Sequence, residues 1–77
     1  MAIAGLLVHT LHGKAEVIEQ KIKEMDTMTS YGIHKDEFIV LVAEVHSKHI
    51  ETEVKKIEEI DGVLTIYTTY VTVEDEE

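Results

Sequence analysis

Two short apolar stretches set the interpretation of the whole chain. Phe38–Val45 contains seven apolar residues, four of them β-branched, which predicts a strand. Ile3–Val8 reads the same way. Strands that are apolar on both faces are usually covered on both sides, yet a chain of 77 residues supplies helices for only one face of a small sheet. We therefore expect the other face to be partly bare, or to be covered by something outside the chain.

Two helical patterns separate the predicted strands. The first helix is predicted from Lys14 to about Met25, because apolar residues recur there at helical spacing. For the second helix, Ser47 is the expected N-cap and Gly62 the left-handed residue that follows its C-terminus. The apolar positions of this second helix also share one face: Ile50, Val54, Ile57 and Ile60.

The remaining segments complete a β-α-β-β-α-β order. Thr29–Lys35 reads as a weak edge strand, Lys35-Asp36-Glu37 as a hairpin connection, and Val63–Val73 as a long, hydroxyl-rich last strand. This order predicts an α+β, ferredoxin-like fold: a four-stranded antiparallel sheet of order 4-1-3-2 with two helices on one face. Residues 1–73 form one domain in this prediction, and residues 74–77 form an acidic, disordered tail.

The phase of each strand decides which residues face the uncovered side. Because Glu44 should not point at the helices, Ile39, Leu41, Ala43 and Val45 are expected in the core; Leu6, Val8 and Ile66 are placed there too. A slip of one residue would invert each assignment. The expected apolar patch on the open side marks a partner site, and a glycine within it would let a helix approach closely. The patch comprises Gly5, Leu7, Val40, Val42 and Tyr67, with His9 at its rim and Thr65 and Thr69 beside it.

Charge narrows the classes of partner. The chain carries 16 acidic residues against seven lysines and no arginine, for a formal charge of −9. Such a surface repels phosphate, so neither nucleic acid nor an anionic membrane is an expected partner. No apolar run approaches the ~20 residues of a membrane span, and no targeting segment is visible. A cytoplasmic location is expected, and the absence of cysteine fits a reducing compartment.

The sequence carries no recognisable catalytic motif. It lacks a glycine-rich phosphate loop, a nucleophile elbow and the arginine that an acylphosphatase-like activity would need. We therefore expect no enzymatic activity, no cofactor and no bound metal. We interpret the five histidines as surface or loop residues: His9, His12, His34, His46 and His49. The alternative hypothesis is that they make the protein a metal carrier.

Several short segments together match a known pattern: Leu7-Val8-His9, the pair Ile33-His34, the apolar third strand, and Ile60-Asp61-Gly62-Val63-Leu64 followed by Thr69-Tyr70 and an acidic tail. In these segments the chain resembles the NapD family, the small cytoplasmic chaperones of the periplasmic nitrate reductase. The resemblance covers nearly the whole chain and implies the fold predicted above. His9 matches a position on the family's binding side, so we add it to the expected binding residues.

The activity implied by the resemblance is peptide binding. NapD proteins bind the twin-arginine signal peptide of the nitrate reductase catalytic subunit as a helix on the sheet, and hold back export until the molybdenum cofactor is in place. A peptide with an apolar segment and two arginines would suit an apolar sheet in an acidic surround. The alternative is a ligand-sensing or oligomerising domain similar to the effector domains of transcription regulators. A monomer or weak homodimer is expected in the first case and a stable oligomer in the second.

Overall fold

The computed structural model describes residues 1–74 and contains a single sheet of four strands. The strand order is β2-β3-β1-β4, and all three neighbouring pairs are antiparallel. This is the predicted 4-1-3-2 order read from the other edge, so the ferredoxin-like fold is confirmed. The elements are β1 (Ala2–Thr10), α1 (Ala15–Lys23), β2 (Met28–His34), β3 (Phe38–Val45), a 3-10 turn (Ser47–His49), α2 (Ile50–Glu58) and β4 (Val63–Val73).

The core lies between the helices and one face of the two central strands. Leu6 of β1 is paired with Leu41 of β3, and Val8 is paired with Ile39. All four side chains are essentially inaccessible to solvent, as expected for residues that face a covering helix layer. The helices contribute Ala15, Ile18, Ile22 and Ile57 to the same cluster, and Ile66 of β4 packs against its edge.

Both helices end in the same kind of turn. After α1, the Met25 N–H donates to the Ile22 carbonyl, and the Met28 N–H donates to the Met25 carbonyl. After α2, the N–H of Ile60 bonds the carbonyl of Ile57 in the same way. Met25 and Ile60 were predicted as the last helical residues; both lie beyond the helices, yet both pack against the core.

The predicted N-cap of the second helix was wrong. Ser47 lies inside the 3-10 turn, and the capping group of that turn is the His46 imidazole, whose Nδ1 accepts a hydrogen bond from the Lys48 N–H at 3.2 Å. The serine suggested a cap because its hydroxyl is a common acceptor. The N-cap position of α2 is instead His49, which makes no side-chain capping bond, and the His46 imidazole caps the 3-10 turn that precedes the helix. The predicted left-handed Gly62 is confirmed, with φ of +100°.

Two hydrogen bonds join Glu74, which follows β4, to Met1, which precedes β1. The Glu74 N–H donates to the Met1 carbonyl, and the Met1 ammonium donates to the Glu74 carbonyl, each at 3.0 Å. The β1–β4 ladder therefore continues one pair beyond β4. Residues 75–77 of the predicted disordered tail lie outside the described residues, so that part of the prediction stays a prediction.

Two helix carboxylates tie the helices to the segment that forms β2. Ser30 in β2 donates a hydrogen bond to Glu19 of α1. Just before β2, Thr27 donates to Glu53 of α2 at 2.7 Å, and Lys56 lies 2.8 Å from the same carboxylate. Hydrogen bonding to Lys56, followed by that to Thr27, lowers the pKa of Glu53 below its usual value.

Replacing Glu53 with glutamine should make the free energy of unfolding depend less on pH in the acid range. Because the pKa of Glu53 is lowered on folding, its contribution is present above the unfolded value, about 4.3, and is lost as pH falls through the folded value. Urea unfolding at pH 7 should show a loss of about 1–2 kcal/mol, which shrinks toward pH 3. Glu58→Gln, at an exposed position of the same helix, is the control; an equal loss in both variants would contradict the assignment.

A glycine in the β2–β3 turn should stabilise the protein. Lys35 and Asp36 both have positive φ, 54° and 56°, which costs a non-glycine residue about 1–2 kcal/mol. Asp36→Gly removes that cost but adds about 0.5–1 kcal/mol of chain entropy. We expect a net gain of about 0.5–1 kcal/mol in the free energy of unfolding. Asp36→Ala removes the same charge and keeps the Cβ, so it should not stabilise; a gain in both variants would point to charge instead.

Candidate functional site

The sheet face opposite the helices, called the open face below, is apolar at its centre. Residues that are paired across antiparallel strands point to the same side, so the register defines its rows. Gly5 is paired with Val42, and Leu7 with Val40, across the central strands. None of these four belongs to the core cluster. The complete central rows are Thr29, Val42, Gly5 and Tyr70, and next to them Gly32, Val40, Leu7 and Tyr67.

A groove of about 470 Å³ runs over these rows. Its floor is formed by the two central strands, and a tyrosine from each edge strand stands at its side: Tyr31 of β2 and Tyr70 of β4. Both tyrosines are at least half exposed, at 66% and 50%. The groove lining is Gly5, Leu6, Leu7, Tyr31, Val40, Leu41, Val42, Thr69 and Tyr70.

Tyr70 reaches the open face through a β-bulge. The β1–β4 register shifts between Gly5 and Leu6, which are paired with Tyr70 and Thr68, so Thr69 is an extra residue. Strict alternation from the inward Ile66 would have turned Tyr70 toward the helices. A bulge resets the alternation and redirects the side chain that follows it.

Gly5 makes room for the Tyr70 ring. A Cβ built on Gly5 would collide with ring atoms of Tyr70 and with the Thr69 hydroxyl. The sequence suggested that the glycine would admit a helix close to the backbone. That expectation was wrong, because the space above Gly5 is filled by the chain's own tyrosine and Gly5 is buried.

A second β-bulge positions Tyr31, on the opposite side of the groove from Tyr70. Ser30 is paired with Leu41 and Gly32 with Val40, which leaves Tyr31 as the extra residue of β2. Gly32 has φ of +125°, a conformation that side chains other than glycine rarely adopt. The glycine therefore allows the backbone distortion that places Tyr31 beside the groove. A glycine inside a strand pattern is a known sign of a bulge, and it is the signal that could have located Tyr31.

One end of the open face carries imidazoles. His34, Phe38, His9 and Thr65 form the last row. The His9 ring stacks on Phe38 with centroids 4.6 Å apart and planes within 10°. The His9 Nε2 also lies 3.6 Å from a Glu37 carboxylate oxygen. His9 is thus held at the end of the open face, outside the groove lining.

The other end of the open face carries carboxylates. Glu44 is paired with Ile3, which in turn is paired with Thr72. Beyond this row, Glu74 meets Met1 through the backbone bonds described above. Met1, Ile3, Thr72 and Glu74 line a smaller depression of about 190 Å³. Glu44 and Glu74 are both exposed.

The described residues form no assembled metal centre. No group of three or more histidine, cysteine, aspartate or glutamate side chains within residues 1–74 is arranged to hold a metal ion. No helix in this part of the chain is long and apolar enough to cross a membrane.

The predicted binding residues fall into two groups. Gly5, Leu7, Val40 and Val42 lie together in the groove. Tyr67 is paired with Leu7 on the same face, and His9 lies in the end row. Sequence reasoning missed Tyr31 and Tyr70 as groove residues, because both owe their direction to bulges. Whether these residues contact a ligand stays a prediction.

A family model identifies the family of this chain, and a solved structure shares its fold. The family model described as "NapD protein" matches residues 1–75. The solution structure of the E. coli Tat proofreading chaperone protein NapD superimposes with a TM-score of 0.76, covering 97% of this chain and 81% of that one at 16% identity. No curated protein matches the chain significantly.

Gly5→Ala should destabilise the protein through its contact with Tyr70. The added methyl collides with the ring and with Thr69, and such overpacking costs about 1–3 kcal/mol. In a Tyr70→Ala background the main obstacle is gone, so the same substitution should cost less than half as much. Chemical denaturation of the four proteins in this double-mutant cycle measures the coupling. Strictly additive effects would mean that the ring does not occupy the space above Gly5.

Proposed function

Because the chain belongs to the NapD family, we propose that it is a chaperone that binds a twin-arginine signal peptide. The client in this proposal is the catalytic subunit of the periplasmic nitrate reductase. Binding in the cytoplasm holds back export until cofactor insertion and assembly are complete. The protein acts by binding alone, and it catalyses no reaction.

The groove is the observation that carries this proposal. Small soluble proteins rarely leave a contiguous apolar patch exposed unless it meets a partner. The edge strands lie three strand spacings apart, about 14 Å, and an α-helix with side chains is about 10–12 Å wide. An amphipathic helix can therefore lie along the central strands, with its apolar side chains on Leu7, Val40 and Val42 and the tyrosines beside it.

Charge complementarity supports the class of peptide. The formal charge of −9 attracts a basic peptide over long range and speeds encounter more than it adds affinity. The apolar segment of such a peptide then supplies the contacts that hold it. We assign peptide binding to Gly5, Leu7, His9, Val40, Val42 and Tyr67, and add Tyr31 and Tyr70.

Gly5 has an indirect part in this assignment. Because Tyr70 covers Gly5, the glycine contributes by allowing the Tyr70 ring to lie close to the floor of the groove. Leu7, Val40 and Val42 are left as the apolar floor residues whose side chains are available to a ligand.

Threonine at the groove floor should weaken peptide binding. Val40→Thr with Val42→Thr keeps the shape and strand propensity but forces two hydroxyls under the ligand, at about 1–3 kcal/mol each. We expect the affinity for a synthetic twin-arginine signal peptide to fall at least ten-fold, or about 1.4 kcal/mol, by calorimetry or by NMR titration of amide shifts.

The matched control carries the same change outside the open face. Val17 lies exposed on α1, and Val71 lies exposed on β4 opposite the core residue Ala4. Val17→Thr with Val71→Thr should leave the affinity unchanged. Equal losses in the two double variants, or no binding by the unaltered protein at millimolar peptide, would contradict the proposal. A stable oligomer whose sheet face is already covered would favour the ligand-sensing or oligomerising domain instead.

A further inference from the structure

The outer edge of β4 presents an uncharged strand to solvent. In the order β2-β3-β1-β4, the strand β4 is paired on one side only, with β1. Val63–Val73 contains no charged residue and no proline, which are common means of keeping an edge strand from pairing with another chain. We propose that two copies of this chain associate through this edge, in an antiparallel pairing centred on Thr72.

Two bulges decide which part of the outer edge can pair. Leu64 and Thr69 are extra residues relative to β1. A bulge resets the alternation of side chains, so a regular partner strand does not continue across it. The regular parts of β4 and the residue after it are residues 65–68 and residues 70–74. The second is the longer of the two, and it ends at the tip of the sheet.

The opposite edge of the sheet is less suited to pairing. β2 spans seven residues, Met28–His34, and its regular pairing is interrupted at Tyr31. Gly32, with φ of +125°, distorts the backbone at the middle of the strand. Irregular and short edge strands resist pairing with a second chain, so β4 is the edge that favours association.

The backbone bonds at the end of β4 show which groups point outward. Glu74 and Met1 exchange two hydrogen bonds, so they form a hydrogen-bonded pair of the antiparallel ladder. Such pairs alternate with pairs that exchange no bonds. The N–H and C=O of Thr72 therefore point toward β1, whereas those of Val71 and Val73 point away from it. These two valines offer two donors and two acceptors to another strand.

A two-fold axis at Thr72 matches these outward groups to a second copy. It pairs Val71 with the partner's Val73 and Val73 with the partner's Val71, so each pair exchanges two hydrogen bonds. An axis at Val71 would bring the bulge at Thr69 opposite Val73. An axis at Val73 would leave Val71 without a counterpart within residues 70–74. The axis at Thr72 is therefore the one that satisfies all four outward groups.

The side chains of this segment are compatible with the same pairing. Val71 and Val73 are paired with the core residues Ala4 and Ala2, so they lie on the helix side of the sheet. The helices leave them 48% and 53% exposed. Pairing about Thr72 brings the four valines of the two copies together and removes apolar surface from water.

The helices leave room for the second copy. The two β1 strands of the dimer are three strand spacings apart, about 14 Å, and a helix with its side chains is about 10–12 Å wide. The two copies overlap only along residues 70–74, so their remaining parts extend away from each other. Both helix layers lie on one side of the joined sheet, and both grooves stay open on the other.

Charge and size make this dimer weak. The formal charge of −9 on each copy opposes association, and residues 70–74 are few against the roughly 20–30 residues a side of a stable complex. The pairing keeps the two Glu74 side chains four strand positions apart, about 14 Å, beyond the ~8 Å screening length at physiological salt. We expect a dissociation constant on the order of 0.1 mM, and tighter association as salt is added.

Single cysteines test the register, because the chain has none of its own. Thr72→Cys places two thiols in a non-hydrogen-bonded pair, with Cα atoms about 4.5 Å apart, within the range of a disulfide. In Val71→Cys or Val73→Cys, the two Cα atoms are about 8 Å apart, which is too far. With oxidised glutathione as the oxidant, Thr72→Cys should form a linked dimer at least about ten-fold faster than either other variant. Equal rates would overturn the pairing centred on Thr72.

A lysine on the edge tests the surface by sedimentation equilibrium of the full chain without peptide. Val71→Lys lowers the net negative charge, which favours association, but it places a charge on the paired edge. We expect it to weaken the dimer about five-fold or more. Val17→Lys makes the same change in charge at an exposed position of α1 and should not weaken the dimer. Equal weakening by the two variants would exclude β4 as the interface.

Amide exchange provides a readout that no other interface shares. Raising the protein concentration to about 1 mM, ten times the expected dissociation constant, should slow exchange of the Val71 and Val73 amides. The Thr72 amide, already bonded to β1, should change little. A monomer at this concentration in high salt, or slowed exchange elsewhere with none at Val71 and Val73, would overturn the proposal. Because these measurements contain no peptide, such a result leaves the proposed function of the groove untouched.

Discussion

The antiparallel pairing of β1 with β3 is the constraint on which the rest of the structure depends. Successive strand residues point to opposite faces, so the register that buries Leu6 against Leu41 also places Leu7 beside Val40 on the far side. The core cannot form without exposing the floor of the groove. The apolar character of the open face is therefore a property of the same two segments that hold the protein together, and folding alone does not explain why those outward positions are apolar.

The central strands could be predicted from the sequence because one charged residue settles their phase. Glu44 cannot face the helices, and the alternation then assigns Val40 and Val42 to the open side, where the register places them. The edge strands were harder, because a bulge depends on local backbone geometry and on the neighbouring strand. Tyr70 lies across from Gly5 only because Thr69 is extra, and no periodicity within β4 carries that information.

The wrong cap and the wrong expectation at Gly5 have a similar cause. A serine before a helical pattern suggests a cap, but the competing acceptor was an imidazole, which the usual preferences rank low. At the groove, the glycine in β1 was rightly expected to mark a close approach, and the approaching group was misjudged. That group is the Tyr70 ring. A wall that is already packed against the floor loses less side-chain freedom when a ligand binds, so the groove is partly preorganised.

The bonds between Met1 and Glu74 also have a consequence for the order of folding. β1 is the first strand, lies in the centre of the sheet, and pairs with β4 through contacts that span almost the whole chain. Contacts between such distant residues form slowly, because closing a long loop costs conformational entropy before the contacts repay it. During synthesis, β1, β3 and the helices can associate while one side of β1 is still unpaired. Tyr70 can lie beside Gly5 only after β4 has left the ribosome and has paired with β1, so a nascent chain has no complete groove before that point.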